Sequence, residues 1–304
     1  MNRIYNLGSL NIDYVYQVDH FVSAGETLSS NKLEVFPGGK GLNQSIALAK
    51  AGAKVVHGAV VGNEGEFLLE NMSAVGVDIS KISRLDGSCG HAIIQVDKKG
   101  QNCILLFSGT NGLVDKAYIE DFLSDAKEGD VLLLQNEVSN IDVAFEIAHE
   151  KKMQIAFNPS PYHKDINKLP LSYVKWWFCN EIEGEALFGG KEAKQITDNF
   201  IKQYPYSAII LTLGEKGCVY RDSTQIVSHP IYKVKAVDTT AAGDTFTGYF
   251  MSAITQGNDV KSALNIASKA SAIAVSRKGA SSSIPFKDEV QNLDLDNDKT
   301  VTSV

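Results

Sequence analysis

Short, uninterrupted apolar runs alternate with helical stripes along this chain, and no other feature constrains its fold as much. The apolar runs lie at 55–61, 131–134, 155–157, 176–179 and 209–211. Runs of this length predict strands that are buried on both faces. Apolar residues at helical spacing lie at 118–126, 141–148 and 260–274. Strands that alternate with amphipathic helices predict an α/β fold, with a doubly wound, mainly parallel sheet flanked by helices.

Two stretches break this rhythm, because their extended segments follow one another without a helix between them. They span about 13–36 and 88–107. We expect them to form a small β-sheet that projects from the α/β body as a lid, or pairs with a second subunit, since the edges of such a sheet need covering. The domain prediction is a single α/β domain over 1–290, with these lid strands, and a polar C-terminal tail over 291–304.

Composition and charge exclude several classes of protein. The chain has 304 residues, of which 44% are hydrophobic and 21% charged, as in globular rather than disordered proteins. A net charge of −7 argues against a nucleic-acid partner. The four cysteines lack CxxC spacing, which fits reduced thiols, and there is no signal-peptide pattern or membrane-length apolar run. We therefore expect a cytoplasmic protein with no membrane partner.

The strongest chemical signal is the segment AVDTTAAGDTF at 236–246, which precedes a helical stripe. We expect a helix to begin close to Ala242, where unpaired N–H groups and partial positive charge collect. The small residues Ala241, Ala242 and Gly243 would let a phosphate approach these groups. Asp244 then has two interpretations: a carboxylate that complements the helix dipole, or a general base beside a phosphoryl site.

Two further motifs place polar side chains near predicted element ends. PGGKGLNQ at 37–44 is a glycine turn before a helix predicted at 42–51, and Asn43 could bond a polar ligand from its first turn. It is not a Walker A loop, because GxxxxGK[ST] is absent from the chain. Asn11 and Asp13 follow a first strand predicted at 4–10, where side chains face the ligand crevice of an open α/β sheet. Both motifs could instead be simple turns.

Two motifs, GGKGxNQ at 38–44 and DTxAAGD at 238–244, resemble the two signatures of the ribokinase-like carbohydrate kinase family, the phosphofructokinase-B type. They occur in the same order along the chain as in that family. The resemblance covers 4–286 and implies an ATP-dependent sugar kinase that uses Mg²⁺ and K⁺. The implied acceptor is the primary 5-hydroxyl of D-ribose. Another sugar or a nucleoside stays open, because Asn136 and Ser160 depart from the usual residues near the sugar pocket. A non-catalytic sugar-binding regulator is the alternative from a different class.

The resemblance also assigns roles to individual positions. Asp244 matches the catalytic base, and the three residues before it match the anion hole. The implied sugar contacts are Asn11, Asp13, Gly39, Lys40, Gly41, Asn43, Glu137 and Asp244. The implied contacts of the nucleotide and its Mg²⁺ are Asn180, Glu183, Thr212, Gly214, Glu215, Lys216, Gly217, Gly243 and Ser268. The positions that match a K⁺ site are Asp238, Thr240, Ala274, Arg277, Gly279 and Ser283. Family members pair through the lid, which implies a homodimer.

Overall fold

The computed structural model describes residues 2–293 of the chain. Its strands are β1 Ile4–Leu7, β2 Asn11–Gln17, β3 Lys32–Gly38, β4 Val55–Gly58, β5 Val60–Val61, β6 Ser83–Arg84, β7 Gly90–Val96, β8 Asn102–Phe107, β9 Val131–Gln135, β10 Gln154–Asn158, β11 Val174–Asn180, β12 Ala208–Thr212, β13 Cys218–Arg221 and β14 Ile226–His229. Its helices are α1 Lys40–Lys50, α2 Glu66–Ser73, α3 Lys116–Phe122, α4 Ile141–Glu150, α5 Glu181–Phe188, α6 Ala193–Gln203, α7 Ala242–Thr255, α8 Val260–Val275 and α9 Lys287–Asn292.

The main sheet has eight strands in the order β14-β13-β12-β11-β10-β9-β1-β4. The six strands from β12 to β4 run parallel, and β13 and β14 close one edge as an antiparallel hairpin. The predicted α/β class with a mainly parallel sheet is therefore confirmed. Within residues 2–293, no helix combines the length and apolar character that crossing a membrane requires.

Helices cover both faces of the main sheet, which explains why its strands are apolar without interruption. Along β9, Val131 and Leu133 pack into a core layer with α1, α2, α7 and α8. The alternating residues Leu132 and Leu134 pack into a second layer with α3, α4, α5 and α6. Because successive side chains point to opposite faces of a strand, each apolar run supplies both layers.

Three predicted boundaries differ from the structure. The run at 55–61 forms two strands, because the chain turns after Gly58 and β5 pairs with β6 in a separate sheet. The helix predicted across 118–126 ends at Phe122, and Ala126 is buried from a following turn instead. The first strand, predicted at 4–10, ends at Leu7, where the chain passes under the backbone of Gly41.

The residues 11–17, 32–38, 90–96 and 102–107 form a second sheet, in the order β3-β2-β7-β8, which is separate from the main one. Asn11 and Asp13 therefore lie on β2 of this sheet and not in a loop after the first strand. All six residues of the edge strand β8 are exposed, and four of them are the large apolar residues Ile104, Leu105, Leu106 and Phe107. We call this second sheet the lid sheet.

The C-terminal prediction falls mostly beyond the described residues. Positions 291–292 belong to α9, and 294–304 of the predicted polar tail lie outside the described part of the chain. The helix expected near Ala242 does begin there, as α7. This helix points its N-terminus at the carboxyl end of the parallel strands, where the candidate site lies.

Candidate active site

The polar ends of four parallel strands meet at one edge of the main sheet, as expected for the ligand crevice of an open α/β sheet. The strands β9, β10, β11 and β12 end at Gln135, Asn158, Asn180 and Thr212. A cavity of about 210 Å³ lies there, against the N-terminus of α7. Its lining includes Lys40, Asn158, Glu183, Thr212, Gly243 and Asp244.

Asp244 is buried in the first turn of α7, and two amide groups hold its carboxylate. The Nδ2 of Asn43 donates to Oδ2 at 3.1 Å, and the Nε2 of Gln44 donates to Oδ1 at 2.9 Å. Both donors come from the first turn of α1, which begins directly after the glycine loop. The two strongest sequence motifs therefore meet at one carboxylate. A carboxylate that only complemented the helix dipole would not need hydrogen bonds from two buried side chains of another helix.

The glycine loop lies so close to other backbone that side chains would not fit. A Cβ on Gly41 would lie 2.4 Å from the backbone of Gly8 and Ser9. Gly39 has a φ of +96°, which L residues rarely adopt, and its Cβ would lie 2.9 Å from the Ser9 carbonyl oxygen. These contacts press the loop against the end of β1. Lys40 and Asn43 consequently sit at fixed positions beside the cleft.

The predicted sugar-side carboxylates lie beside this loop. Glu137 accepts hydrogen bonds through Oε2 from the Lys40 backbone N–H at 2.9 Å and from the Ser9 hydroxyl. The carboxylate of Asp13 covers Gly38, where a Cβ would lie 2.2 Å from Oδ2. Burial, and then the negative charge of Glu137, raise the pKa of Asp13 to about 7. Burial also raises the pKa of Glu137, although Lys40 and Ser9 oppose that shift.

The Lys40 side chain joins the sugar-side carboxylates to the cavity at α7. Burial opposes its charge, but the carboxylates of Asp244, Glu137 and Glu183 outweigh this and raise the pKa of its ammonium group. Lys40 therefore stays protonated in the middle of the site. A fixed cation beside a helix N-terminus is suited to a ligand that carries several negative charges.

A residue that the sequence analysis did not identify, Asn111, holds Asn11 in position. The Nδ2 of Asn111 donates to Asn11 Oδ1 at 2.7 Å and to the Leu10 carbonyl at 3.2 Å. The Leu10 N–H donates in turn to Asn111 Oδ1 at 3.0 Å. Because Asn111 is 2% exposed, these bonds fix the first residues of β2 against the body. A polar residue directly after the lid strands is the only sequence signal for it.

The three small residues at the N-terminus of α7, where the anion hole is predicted, differ in their surroundings. Ala241 adopts a left-handed conformation, with φ 60° and ψ 10°, and leads the chain into the helix. The N–H of Ala242 donates to the Thr239 carbonyl at 3.2 Å, so this amide already has a partner. A Cβ on Gly243 would meet no atom within 4 Å, so protein packing does not require glycine there. The open space over Gly243 is instead part of the cavity.

A second cavity of about 690 Å³ opens on the other side of Gly243. The predicted nucleotide-loop residues Thr212, Gly214, Glu215 and Gly217 line one wall, and Ser268 lines another. The rest of its lining is largely apolar and includes Val234, Ala236, Phe246, Ala272 and Val275. Thr212 and Gly243 line both cavities, so the two spaces adjoin at the start of α7.

Asn180 and Glu183 form the N-terminal capping box of α5. The Asn180 Oδ1 accepts from the Glu183 N–H at 2.9 Å, and the Glu183 Oε2 accepts from the Asn180 N–H at 3.0 Å. Capping accounts for only one carboxylate oxygen, and Glu183 also lines the smaller cavity.

Lys216, which the resemblance places at the nucleotide, instead reaches Glu181 at 3.6 Å and does not line either cavity.

The positions implied for a monovalent cation come from two segments that the structure joins. Asp238 accepts from the Thr240 N–H at 2.9 Å and from the Gly279 N–H at 3.0 Å. Burial opposes its charge, but these hydrogen bonds lower the pKa of Asp238 below the ordinary value. In the second segment, the Ser283 hydroxyl donates to the Ala280 carbonyl at 2.8 Å. The Ala274 carbonyl accepts from the Arg277 N–H at 3.1 Å. The Arg277 guanidinium forms an ion pair with Glu289.

The bond from the Gly279 N–H to Asp238 joins the loop before α7 to the segment after α8. Carbonyl oxygens and a carboxylate are the donor types that hard monovalent and divalent cations take, so the residues fit the implied group. Among residues 2–293, no three His, Cys, Asp or Glu side chains lie together as a potential metal cluster. Mg²⁺ is compatible with this arrangement, since it is usually held by one or two carboxylates, water and substrate phosphates.

Sequence reasoning missed the buried amides behind Asp244. Gln44 lies within the quoted motif, but no role was assigned to it, and Gln135 and Asn6 were absent from the predicted site. Each is at most 1% exposed. Asn6 lies within the buried strand β1, and Gln135 is the polar last residue of the apolar strand β9. A lone amide inside a strand that is buried on both faces is a signal that could have identified them, because such a group must find hydrogen-bond partners.

Known proteins match this chain in fold and over nearly its whole length. A ribokinase of Schizosaccharomyces pombe is 35% identical, over 95% of this chain and 97% of its own length. The structure of a ribokinase from Thermotoga maritima is 36% identical, with a TM-score of 0.85, over 96% of this chain and 98% of its own. A ribokinase of Cryptococcus neoformans var. grubii, solved in complex with ADP, is 28% identical with a TM-score of 0.84, over 96% of this chain and 99% of its own.

The match to a family extends through both motifs and nearly the whole described chain. Residues 1–287 match the pfkB family of carbohydrate kinases. This range includes the glycine loop, the lid sheet, the capping box of α5 and the start of α7. The chain therefore belongs to the pfkB family and is a carbohydrate kinase.

Proposed function

We propose that this kinase transfers the γ-phosphate of ATP to the primary 5-hydroxyl of D-ribose. The observation that carries the proposal is the place of Asp244, between the sugar-side carboxylates and two adjoining cavities at a helix N-terminus. Ribokinases that are 35% and 36% identical in sequence support the choice of sugar. The ribokinase solved with ADP supports an adenine nucleotide as the partner.

On the sugar side, the chain presents mostly hydrogen-bond acceptors. Asp13, Glu137 and Asp244 offer carboxylate oxygens, and Asn43 Oδ1 is buried with no partner among residues 2–293. A buried acceptor without a partner costs free energy unless a ligand donates to it. A polyhydroxylated ligand satisfies several such acceptors at once. Asp244 is the acceptor that we assign to the hydroxyl undergoing phosphorylation, from which it takes the proton.

On the nucleotide side, backbone and one cation hold the phosphates. The absence of a side chain at Gly243 lets a phosphate reach the first turn of α7, and Lys40 places an ammonium group beside it. Phosphoryl transfer depends on positioning and charge stabilisation, and these groups supply both. Few basic side chains are needed, so a net charge of −7 is compatible with binding of ATP.

We assign both implied metal ions to this side of the site. Glu183 and the water around it would hold Mg²⁺ with the nucleotide phosphates, and Mg²⁺ would neutralise phosphate charge. The loop residues around Asp238 would hold K⁺ and so stabilise the loop that leads into α7. We expect kcat to be higher in K⁺ buffer than in tetramethylammonium buffer. Equal activity in the two buffers would contradict the K⁺ assignment.

We also propose a homodimer that forms through the lid sheet. Leu33, Val35, Leu105 and Phe107 are each about half exposed on β3 and β8, the two edges of this sheet. A second copy of the chain would cover these apolar edges, which otherwise invite non-specific pairing. Leu105→Lys should shift sedimentation from dimer to monomer, whereas Ile182→Lys, an exposed apolar residue on α5, should leave it unchanged. A monomeric wild-type protein at micromolar concentration would refute the dimer.

The four cysteines, all free, support a cytoplasmic location.

A coupled assay of ADP release tests the proposal directly. The acceptors would be ribose, deoxyribose, arabinose, xylose, fructose, fructose 6-phosphate and adenosine, with Mg²⁺, ATP and K⁺ present. We expect the highest kcat/KM for ribose. A preference for another acceptor would keep the kinase and replace the substrate. Sugar binding by calorimetry without turnover on any acceptor would support a non-catalytic regulator instead.

A further inference from the structure

We propose that Gln135 is a positioning residue, which acts through Gln44 to hold Asp244 in its reactive orientation. This inference rests on the proposed role of Asp244 as the base. It concerns a chain of buried side-chain amides that runs from the glycine loop, behind α1, to the Asp244 carboxylate. The chain consists of Asn6, Gln135 and Gln44, and we call it the amide chain.

The amide chain is continuous and buried. The Asn6 Nδ2 donates to the Gly41 carbonyl at 2.8 Å, and Asn6 Oδ1 accepts from Gln135 Nε2 at 3.0 Å. The same Gln135 nitrogen donates to Gln44 Oε1 at 2.6 Å. The Gln44 Nε2 then donates to Asp244 Oδ1 at 2.9 Å. None of the three amide side chains is more than 1% exposed, so bulk water cannot replace a broken bond.

The direction of the amide chain is fixed at its far end. A side-chain amide can be turned over so that its oxygen and nitrogen exchange places, and its orientation follows from its neighbours. The carbonyl of Gly41 can only accept, so Asn6 must present its nitrogen there and its oxygen to Gln135. Gln135 must then present its nitrogen to both Asn6 and Gln44. Gln44 consequently has only its nitrogen left for Asp244.

The unpartnered oxygen of Gln135 supports this direction. Its Oε1 is buried and has no hydrogen-bond partner among the described residues, which is an unfavourable state. The opposite orientation would place that oxygen against the oxygens of Asn6 and Gln44. The amide chain therefore leaves the Gln135 oxygen without a hydrogen bond, and in exchange the Gln135 nitrogen donates to Gln44. A residue that only filled space in the core would not need this amide.

Without Gln135, the Gln44 oxygen loses the donor that holds it, while the Gln44 Nε2 faces two acceptors, Asp244 Oδ1 at 2.9 Å and Asn158 Oδ1 at 3.5 Å. The Gln44 side chain can then shift toward Asn158 and release Asp244 Oδ1. The Oδ2 would keep the bond from Asn43, so the carboxylate would rotate about that contact. We expect this rotation to impair proton transfer, which lowers kcat. Sugar affinity would change little, because Gln135 itself contacts none of the sugar-side carboxylates.

The test compares Gln135→Met, Gln44→Met and the double variant, with the acceptor that wild type turns over fastest. Gln135→Met should lower kcat about tenfold, the loss expected of roughly one hydrogen bond, and change the sugar KM less than about twofold. Gln44→Met should lower kcat at least as much. The double variant should match Gln44→Met, because Gln135 acts only through Gln44.

Gln154→Met is the matched control. Gln154 begins β10, next to β9 but at the opposite end of the sheet from Gln135, and kcat should stay at the wild-type value. Gln135→Thr leaves room for a water molecule, and it replaces the methionine variant if that protein does not fold. Crystal structures of wild type and the Gln135 variant should differ in the orientation of the Asp244 carboxylate, a readout that does not depend on activity.

Four results would overturn the inference: a wild-type kcat in the Gln135 variant, a loss that multiplies with that of Gln44→Met, an equal loss in Gln154→Met, or an unmoved Asp244 carboxylate. Failure of the proposed function looks different. If Asp244 is not the base, Asp244→Asn retains turnover, whichever way the Gln135 variants behave.

Discussion

The two halves of the proposed site, the sugar side and the nucleotide side, are built from different groups. The sugar side uses buried side chains, with the carboxylates of Asp13, Glu137 and Asp244 placed by other side chains and by the glycine loop. The nucleotide side uses backbone, an open glycine and apolar walls, with few charged side chains. This difference indicates that side-chain changes should affect the sugar half most. On the nucleotide half, only changes that alter the backbone or fill its open space should matter.

The largest effect is expected on the sugar side, from Asp244→Asn. An amide cannot take the proton of the acceptor hydroxyl, so kcat should fall about 10²–10⁴-fold. Asp142→Asn is the matched control, because Asp142 is an exposed carboxylate in the first turn of α4, away from the site. Steady-state kinetics and calorimetric sugar binding measure both variants. Near-normal turnover by Asp244→Asn would mean that this carboxylate only complements the helix dipole.

On the nucleotide side, Gly243→Ala should raise the KM for ATP about tenfold or more. The new methyl group meets no protein atom within 4 Å, so it occupies only the space where we place phosphate. Alanine also favours the helix, so the melting temperature should stay constant or rise slightly. Gly112→Ala, at an exposed glycine that faces only Ser108, provides the control. An unchanged KM would remove Gly243 from the phosphate site.

Asp13 gives the sugar half a pH dependence near neutral pH. Its pKa of about 7 in the folded protein exceeds the ordinary value of 3.8, so the folded state binds the proton more tightly. The stability from this group is therefore present below about pH 4 and is lost as the pH rises through 7. Asp13→Asn should raise the melting temperature more at pH 8 than at pH 5, without sugar. An equal gain at both pH values would contradict the shift.

The smallest effect separates two lysines, Lys40 and Lys216, which the family resemblance assigned to the sugar and to the nucleotide. Lys216→Ala should change kcat/KM less than about twofold, because its exposed ion pair with Glu181 contributes little. Lys40→Ala should lower kcat/KM more than about tenfold, because Lys40 lies among Asp244, Glu137 and Glu183. Kinetics with ATP and sugar varied in turn distinguish the two. A large loss at Lys216 would mean that its side chain moves to the nucleotide.

The sequence was sufficient to predict the fold class and the start of α7, because both follow from local pattern. Apolar runs at 131–134 and 209–211 could only be strands with both faces covered. Boundaries set by tertiary contacts were not predictable. The first strand ends at Leu7 because Gly41, far along the chain, packs on the next residue. The hydrophobic pattern of residues 4–10 carries no information about the contact between Gly41 and Gly8.

The candidate site was predictable where a motif carried it and incomplete where it depended on packing. Asp244 and Asn43 stood out as motif residues, and the structure brings them to 3.1 Å. Gln135 and Asn111 were missed because their roles depend on which strand ends become neighbours, which spacing does not reveal. The nucleotide contact of Lys216 stays a prediction, since a motif position does not fix where a long exposed side chain points.

The bond between Asn43 and Asp244 joins residues that are 201 positions apart. During synthesis, the ribosome therefore releases the sugar-side groups long before the carboxylate that they are to meet. β1 must likewise wait for β9 before it has neighbours on both sides. A nascent chain that stops before α7 contains Asn11, Asp13 and Glu137, but neither the proposed base nor the proposed anion site. Phosphoryl transfer consequently begins only when nearly the whole chain has been made and folded, so its onset reports completion of the enzyme.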